Sequence, residues 1–255
     1  MEIGNYIEVD GAKIYYESSG TGLPVIFLHT AGTDGRVWKE FVSMLPGNIN
    51  AIVPDLPAHG KSWPWKQWRK RRVDVRFYSE KIAKMADLLN LEKFIIVGCS
   101  IGADIALDLC TMIPDRIKRA VIMEGAAKTR TFEVETIMKT DPGNVERAFD
   151  FCGSEASKEK IENLIWIRSS NNRDIYINDL LAWNSFDDTH LLDGCKVEIN
   201  LIRGAEDPVV TDEMLNETSK FLTACKVDSI PGLGHYPMLE NPSKCMEKIG
   251  KILTQ

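Results

Sequence analysis

Ser100 lies in Gly98-Cys99-Ser100-Ile101-Gly102, a G-x-S-x-G pentapeptide preceded by the apolar run Phe94–Val97 and followed by a stretch of helical spacing, Ile101–Met112. That context suits a serine held on a sharp strand-to-helix turn. Side chains at Gly98 and Gly102 would collide with neighbouring backbone in such a turn, while the serine is forced into strained angles that project its hydroxyl. The helix N-terminus adds partial positive charge where negative charge would develop. A hydroxyl is a weak nucleophile at neutral pH, so this chemistry needs a base to take its proton and a third group to orient the base.

Four histidines are available as the base. His29 ends an early apolar run, His59 sits in Asp55-Leu-Pro-Ala-His59-Gly60-Lys-Ser62, and His190 lies in the loop that leaves a helical insertion. His235, in Pro231-Gly-Leu-Gly234-His235-Tyr236-Pro237, is the best candidate, because its loop follows the final strand and glycine and proline fix it tightly. The acid is expected after a strand between Ser100 and His235. Val197–Ile202 runs into Arg203-Gly204-Ala205-Glu206-Asp207-Pro208, which makes Asp207 the choice, with Glu206 and Glu124 as competitors.

The elements that must position these residues are visible in the hydrophobic pattern. Tyr6–Val9 and Lys13–Glu17 flank Asp10-Gly11 and predict an opening hairpin. Val25–Leu28, Ala51–Val53, Phe94–Val97, Ala120–Met123 and Val197–Ile202 are short apolar runs of the buried parallel type. They alternate with helical stretches at Gly35–Met44, Ser79–Leu91, Ile101–Met112, Asp212–Thr223 and Ser243–Leu253. The pattern predicts an α/β fold with a doubly wound, mostly parallel sheet, whose site lies at the carboxyl ends of the strands. The alternation breaks over residues 128–195, where Val145–Phe151, Lys158–Arg168 and Ile175–Trp183 have helical spacing. Two parts are therefore expected: a core from 1–127 and 196–255, and a small helical cap from 128–195 that partly encloses the pocket. Trp166, Arg168, Tyr176, Trp183 and Phe186 are candidate walls, with Trp166 and Trp183 taken as substrate contacts.

Composition limits the alternatives. The 255 residues are 44% apolar and 27% charged, ordinary for a globular chain, and the formal charge of −6 disfavours a global attraction to nucleic acid. The six cysteines are scattered without a C-x-x-C pair or a zinc-ligand spacing, which points to a reducing compartment and no metal. The first residues lack the basic and apolar regions of a signal peptide, and no apolar run approaches the ~18 residues of a membrane span. A cytoplasmic protein with a small-molecule substrate, no cofactor, no nucleic acid and no membrane is expected. Lys61–Arg72 interleaves Trp63, Trp65 and Trp68 with Arg69, Arg71 and Arg72. It reads as a solvated loop meeting the cap or pocket rim, with single-stranded nucleic acid or a substrate carboxylate as other possible targets.

Taken together, these motifs resemble the α/β-hydrolase superfamily over essentially the whole chain. The order Ser100, Asp207, His235 matches, as do Gly-Leu-Gly-His235-Tyr-Pro-Met-Leu-Glu-Asn-Pro and Asp55–Ser62. The resemblance implies an oxyanion hole made from the backbone N–H groups of Ile101 and Ala31. It departs from the family at His29-Thr30, where a glycine is common, so the Thr30 hydroxyl enters as a further substrate contact. The loop His29-Thr-Ala-Gly-Thr-Asp34 is also similar to that of enol-lactone hydrolases. The expected activity is hydrolysis of a small carboxylic ester or lactone through an acyl-enzyme, as in carboxylesterases and lactonases. Hydrolysis of a diketone carbon–carbon bond on the same triad, or a non-catalytic small-ligand receptor, are the alternatives.

Overall fold

The computed structural model describes residues 3–129 and 132–254. Eight strands form one sheet in the order β1-β2-β4-β3-β5-β6-β7-β8. They are β1 (Ile3–Val9), β2 (Ala12–Ser19), β3 (Leu23–Leu28), β4 (Ile49–Pro54), β5 (Phe94–Cys99), β6 (Ile117–Met123), β7 (Ile199–Gly204) and β8 (Cys225–Ile230). The opening hairpin is antiparallel and longer than its apolar residues suggested, and β2 also runs antiparallel to β4. From β4 to β8 every pairing is parallel. The fold is therefore α/β with a doubly wound, mostly parallel sheet.

The central strands β3 to β7 are predominantly apolar because both of their faces are covered. Ile26, Leu28, Phe94, Ile96 and Ile122 pack into one core, while the alternate residues Val25, Phe27, Ile95, Val97 and Val121 pack into the other. The flanking helices are α1 (Lys39–Ser43), α2 (Val75–Leu88), α3 (Ile101–Met112), α4 (Val134–Met138), α5 (Val145–Phe151), α6 (Lys158–Ser169), α7 (Arg173–Asn184), α8 (Asp212–Ser219), α9 (Pro237–Glu240) and α10 (Pro242–Thr254).

Several boundaries differ from the sequence pattern for local reasons. The stretch from Gly35 divides into a 3-10 turn and the short α1. Helix α2 starts at Val75 rather than Ser79, because Asp74 caps it by accepting the Phe77 N–H. Strand β7 starts two residues later than Val197, where Ile199 first pairs with Ala120.

Between β6 and β7 the chain forms α4 to α7, and its only sheet-like pairing among the described residues is an isolated bridge from Lys128 to Asp187. All six cysteines are unpaired. Among the described residues, no helix is long and apolar enough to cross a membrane.

Candidate active site

Strands β5, β6 and β7 end side by side, with Cys99 opposite Met123 and Met123 opposite Ile202. The pairing continues one step past the strands, as Ser100 N–H donates to the Met123 carbonyl and Glu124 N–H to that of Ile202. Ser100, Glu124 and the Asp207 loop therefore share one edge of the sheet. Ser100 adopts φ 57 and ψ −125, the strained conformation foreseen for it. A Cβ at Gly98 would lie 2.0 Å from the Gly102 carbonyl oxygen, and one at Gly102 would lie 2.6 Å from that of Leu28. Only glycine fits either position.

His235 and Asp207 meet as the sequence suggested: His235 Nδ1 donates to Asp207 Oδ2 at 2.9 Å. Asp207 also accepts the N–H groups of Val209 and Val210. Burial alone would raise its carboxyl, but the charge and hydrogen bond of His235 outweigh that and hold it at about 2. It is thus a buried anion aimed at the imidazole. The His235 loop is pinned by Glu240, whose buried carboxylate accepts the N–H groups of Gly153, Gly234 and Tyr236. His235 N–H also donates to the Phe151 carbonyl at the end of α5.

Ser100 and His235 line one cavity with Thr30, Ala31, Val209 and Tyr236. Residues of α4, α5 and α7 supply much of its remaining wall, including Ile137, Arg147, Phe151, Tyr176 and Trp183. It holds about 60 Å³, space for a few waters or a short acyl group. The lining is mainly apolar. Arg147 is its one cation among the described residues, and its guanidinium packs on the Phe151 ring 5.4 Å from the centroid.

Ile101 is the first residue of α3, so its N–H has no partner within the helix. Ala31 faces the same cavity. The left-handed residue of this turn is Gly32, at φ 62, and not Thr30. Threonine after His29 therefore avoids the strain that a positive φ would impose on it. The Thr30 hydroxyl is engaged with Thr33: Thr33 Oγ1 donates to the Thr30 carbonyl, leaving Thr30 Oγ1 to donate to Thr33 Oγ1 at 3.0 Å.

Beneath the turn, His29 and His59 are fully buried with ring centroids 5.0 Å apart. His29 Nε2 accepts the Leu56 N–H and Nδ1 donates to the Thr30 carbonyl, so the ring is neutral, and burial lowers its pKa to about 4. Burial pushes His59 in the same direction, but the Asp179 carboxylate 2.7 Å away reverses the effect and raises it. Asp179, on α7, also accepts from Tyr78 Oη and from Gly32 N–H. A buried acid of the helical segment thereby holds the turn that carries Ala31. Spacing alone gave no sign of Asp179, Glu240 or Arg147.

Other candidates lie elsewhere. Trp166, expected to touch substrate, is 60% exposed and stacks under Arg36 outside the Ser100 cavity, because its side of α6 faces solvent. Trp183 does line the cavity, stacked on Phe132. Glu206 bonds Ser154 at the surface and His190 is exposed. The Trp/Arg loop lines no part of the cavity: Trp65 is buried against Phe77, Arg69 covers Trp68, and Arg72 reaches Met138 on α4.

Atoms of Glu124, Asp207 and His235 lie within 4.8 Å of one another, a spacing that a metal could also use. Here His235 Nδ1 is engaged by Asp207, and both carboxyls accept backbone N–H groups.

The model of the α/β hydrolase fold family matches residues 24–155, just over half of the chain. The chain belongs to the α/β-hydrolase fold family. It superposes on an esterase from Thermogutta terrifontis with a TM-score of 0.85 at 21% identity, covering 100% of this chain and 98% of that one. The enol-lactonase from Burkholderia xenovorans LB400 gives 0.87 at 16% identity, covering 98% of this chain and 100% of the other. At these identities the likeness concerns the fold. Among curated sequences, 2-hydroxymuconate semialdehyde hydrolase from Pseudomonas sp. is 28% identical over 132 residues, which is 49% of this α/β-hydrolase chain and 44% of that protein. An uncharacterized Mycobacterium tuberculosis protein is 24% identical over 128 residues, and the match spans only 36% of its length.

Proposed function

We propose that this protein is a serine hydrolase that cleaves a small carboxylic ester or lactone through an acyl-enzyme. The observation that carries this reading is Ser100, strained at the start of α3, facing one cavity with a His235 that is oriented by the buried Asp207. Ser100 Oγ attacks the carbonyl carbon while His235 Nε2 takes its proton and Asp207 stabilises the imidazolium. The N–H groups of Ile101 and Ala31 receive the oxyanion. When the tetrahedral intermediate collapses, His235 returns the proton to the leaving alkoxide. Water, deprotonated by His235, then releases the acid and restores Ser100.

The cavity's size and apolar lining favour a short acyl group, and the overall likeness to an esterase and an enol-lactonase supports the reaction class. The partial match to 2-hydroxymuconate semialdehyde hydrolase favours a second reading, in which the same residues hydrolyse a carbon–carbon bond next to a carbonyl. A fluorophosphonate probe should label wild-type protein stoichiometrically and leave Ser100→Ala unlabelled. On a panel of short esters, lactones and vinylogous diketones, Ser100→Ala should lose about 10⁴-fold or more in turnover. Absence of label on folded protein, or undiminished turnover in the variant, overturns the serine mechanism, while turnover confined to the diketones selects the second reading.

A further inference from the structure

Glu124 is a buried acid that the mechanism above does not use. It follows β6 directly and has a positive φ of 49, a conformation that costs a non-glycine residue energy and is kept only where the surroundings enforce it. Its Oε1 accepts the Gly204 N–H, at the end of β7. Its Oε2 is buried and has no N–H or hydroxyl donor among the described residues. A carboxyl oxygen in that position needs a partner, and the group beside it is the carboxylate of Asp207.

Two carboxylates in one buried site cannot both be ionised. The surroundings decide which one keeps the proton. Asp207 has His235 Nδ1–H and two backbone N–H groups to stabilise its charge, whereas Glu124 has one backbone N–H. Arg203 is turned away, with its guanidinium taken by the carbonyls of Ala205, Asp207 and Val210 and by Asp212. Cys99 and Cys245, the other titratable neighbours, are buried thiols kept protonated by burial and nearby acids. Burial, followed by the charge of Asp207, accordingly pushes Glu124 well above the usual carboxylate range.

We propose that Glu124 is a positioning residue for the triad: a neutral carboxylic acid that donates its Oε2 proton to Asp207, and that can replace Asp207 as the acid facing His235. The pair shares one proton and one negative charge. With Glu124 as donor, Asp207 is held on three sides, by Val209 and Val210, by Glu124, and by His235. If the Asp207 carboxylate is removed, the like charge opposing ionisation of Glu124 disappears. Glu124 then releases its proton to solvent and, within 4.8 Å of the imidazole, becomes the anion that accepts the Nδ1–H of His235.

The inference rests on the serine-hydrolase reading, and the test separates the two. With p-nitrophenyl acetate as the probe ester, Glu124→Ala should lower kcat about tenfold with little change in KM, and Glu124→Gln, which keeps an N–H donor to Asp207, should recover most of the loss. Asp207→Ala should retain at least tenfold more activity than Asp207→Ala/Glu124→Gln, and that residual activity should fall as pH drops and Glu124 regains its proton. Equal activity in those two variants, or a Glu124→Gln as impaired as Glu124→Ala, overturns the proposal. A readout that needs no turnover is the infrared difference between wild type and Glu124→Gln at neutral pH. Loss of a protonated-carboxyl C=O band supports the neutral Glu124, and loss of a carboxylate band overturns it. A protein that hydrolyses no member of the panel and takes no fluorophosphonate refutes the hydrolase reading, while the infrared band still decides the state of Glu124.

Discussion

Two of the protein's clusters of buried acidic residues differ in what surrounds them. Glu124 and Asp207 sit at the carboxyl ends of β6 and β7, where Gly204, Val209 and Val210 offer backbone N–H groups and His235 offers a second kind of donor. Asp104 and Asp108, one turn apart on α3, gather with Asp188 along a helix whose N–H groups from Asp104 onward are used by its own backbone. Among the described residues neither oxygen of Asp104 has a donor, while Asp108 meets Arg76 Nη2 at 2.7 Å and the side chains of Ser79 and Asp188. The same residue type at the same depth therefore gains an anion's environment in one place and loses it in the other. Burial and then the neighbouring Asp108 raise Asp188 to about 7, and burial followed by the charge of Asp188 raises Asp104 well above its ordinary range. Strand ends leave backbone donors free for chemistry, and helix interiors do not.

The linkage signs differ accordingly. Asp207 is depressed, so its stabilisation is present above its unfolded value near 4 and is lost as pH falls toward about 2. Asp104 and Asp188 are raised, so theirs is present at acid pH and is lost as pH rises, for Asp188 through about 7.

The sharpest way to break this contrast is at Asp179, a buried acid with a full set of donors but outside both clusters. Asp179→Ala leaves His59 buried without its partner and frees Gly32 N–H, and should cost about 3 kcal/mol in a denaturant titration. A loss below about 1 kcal/mol would show that donor supply is not what distinguishes these acids. A smaller effect of opposite sign is expected for Asp104→Asn, which should stabilise by about 1 kcal/mol at pH 8 and by almost nothing at pH 4. Thermal melts across that range measure it, and a uniform loss at both pH values would contradict the assignment. The smallest effect belongs to Trp166→Ala, where only the exposed stack with Arg36 is lost. Stability should drop by about 0.5 kcal/mol, and KM for the probe ester should stay constant because the residue lies outside the cavity.

The core strands were legible because burial on both faces makes them continuous apolar runs. Strand β8 was not among those runs, since Cys225-Lys-Val-Asp-Ser-Ile230 is a sheet edge that alternates polar and apolar residues. Helix α5 matched its predicted span, while α4, only five residues long, is too short to show a period. The Trp166 expectation failed because helical spacing shows that a helix has faces but not which face meets the cavity.

The sequence by itself determined the strand-to-helix turn at Ser100, since no residue larger than glycine fits at positions 98 and 102, and it determined the chain order that returns Asp207 and His235 to it. Only the tertiary structure decided that Asp179 and Glu240 clamp the loops, that Arg147 is the cation in the cavity wall, and that Glu124 faces Asp207. Those outcomes depend on which neighbours share a buried space. A carboxyl group carries its charge or its proton according to the donors packed around it, and packing partners far apart in the chain leave no local pattern to read.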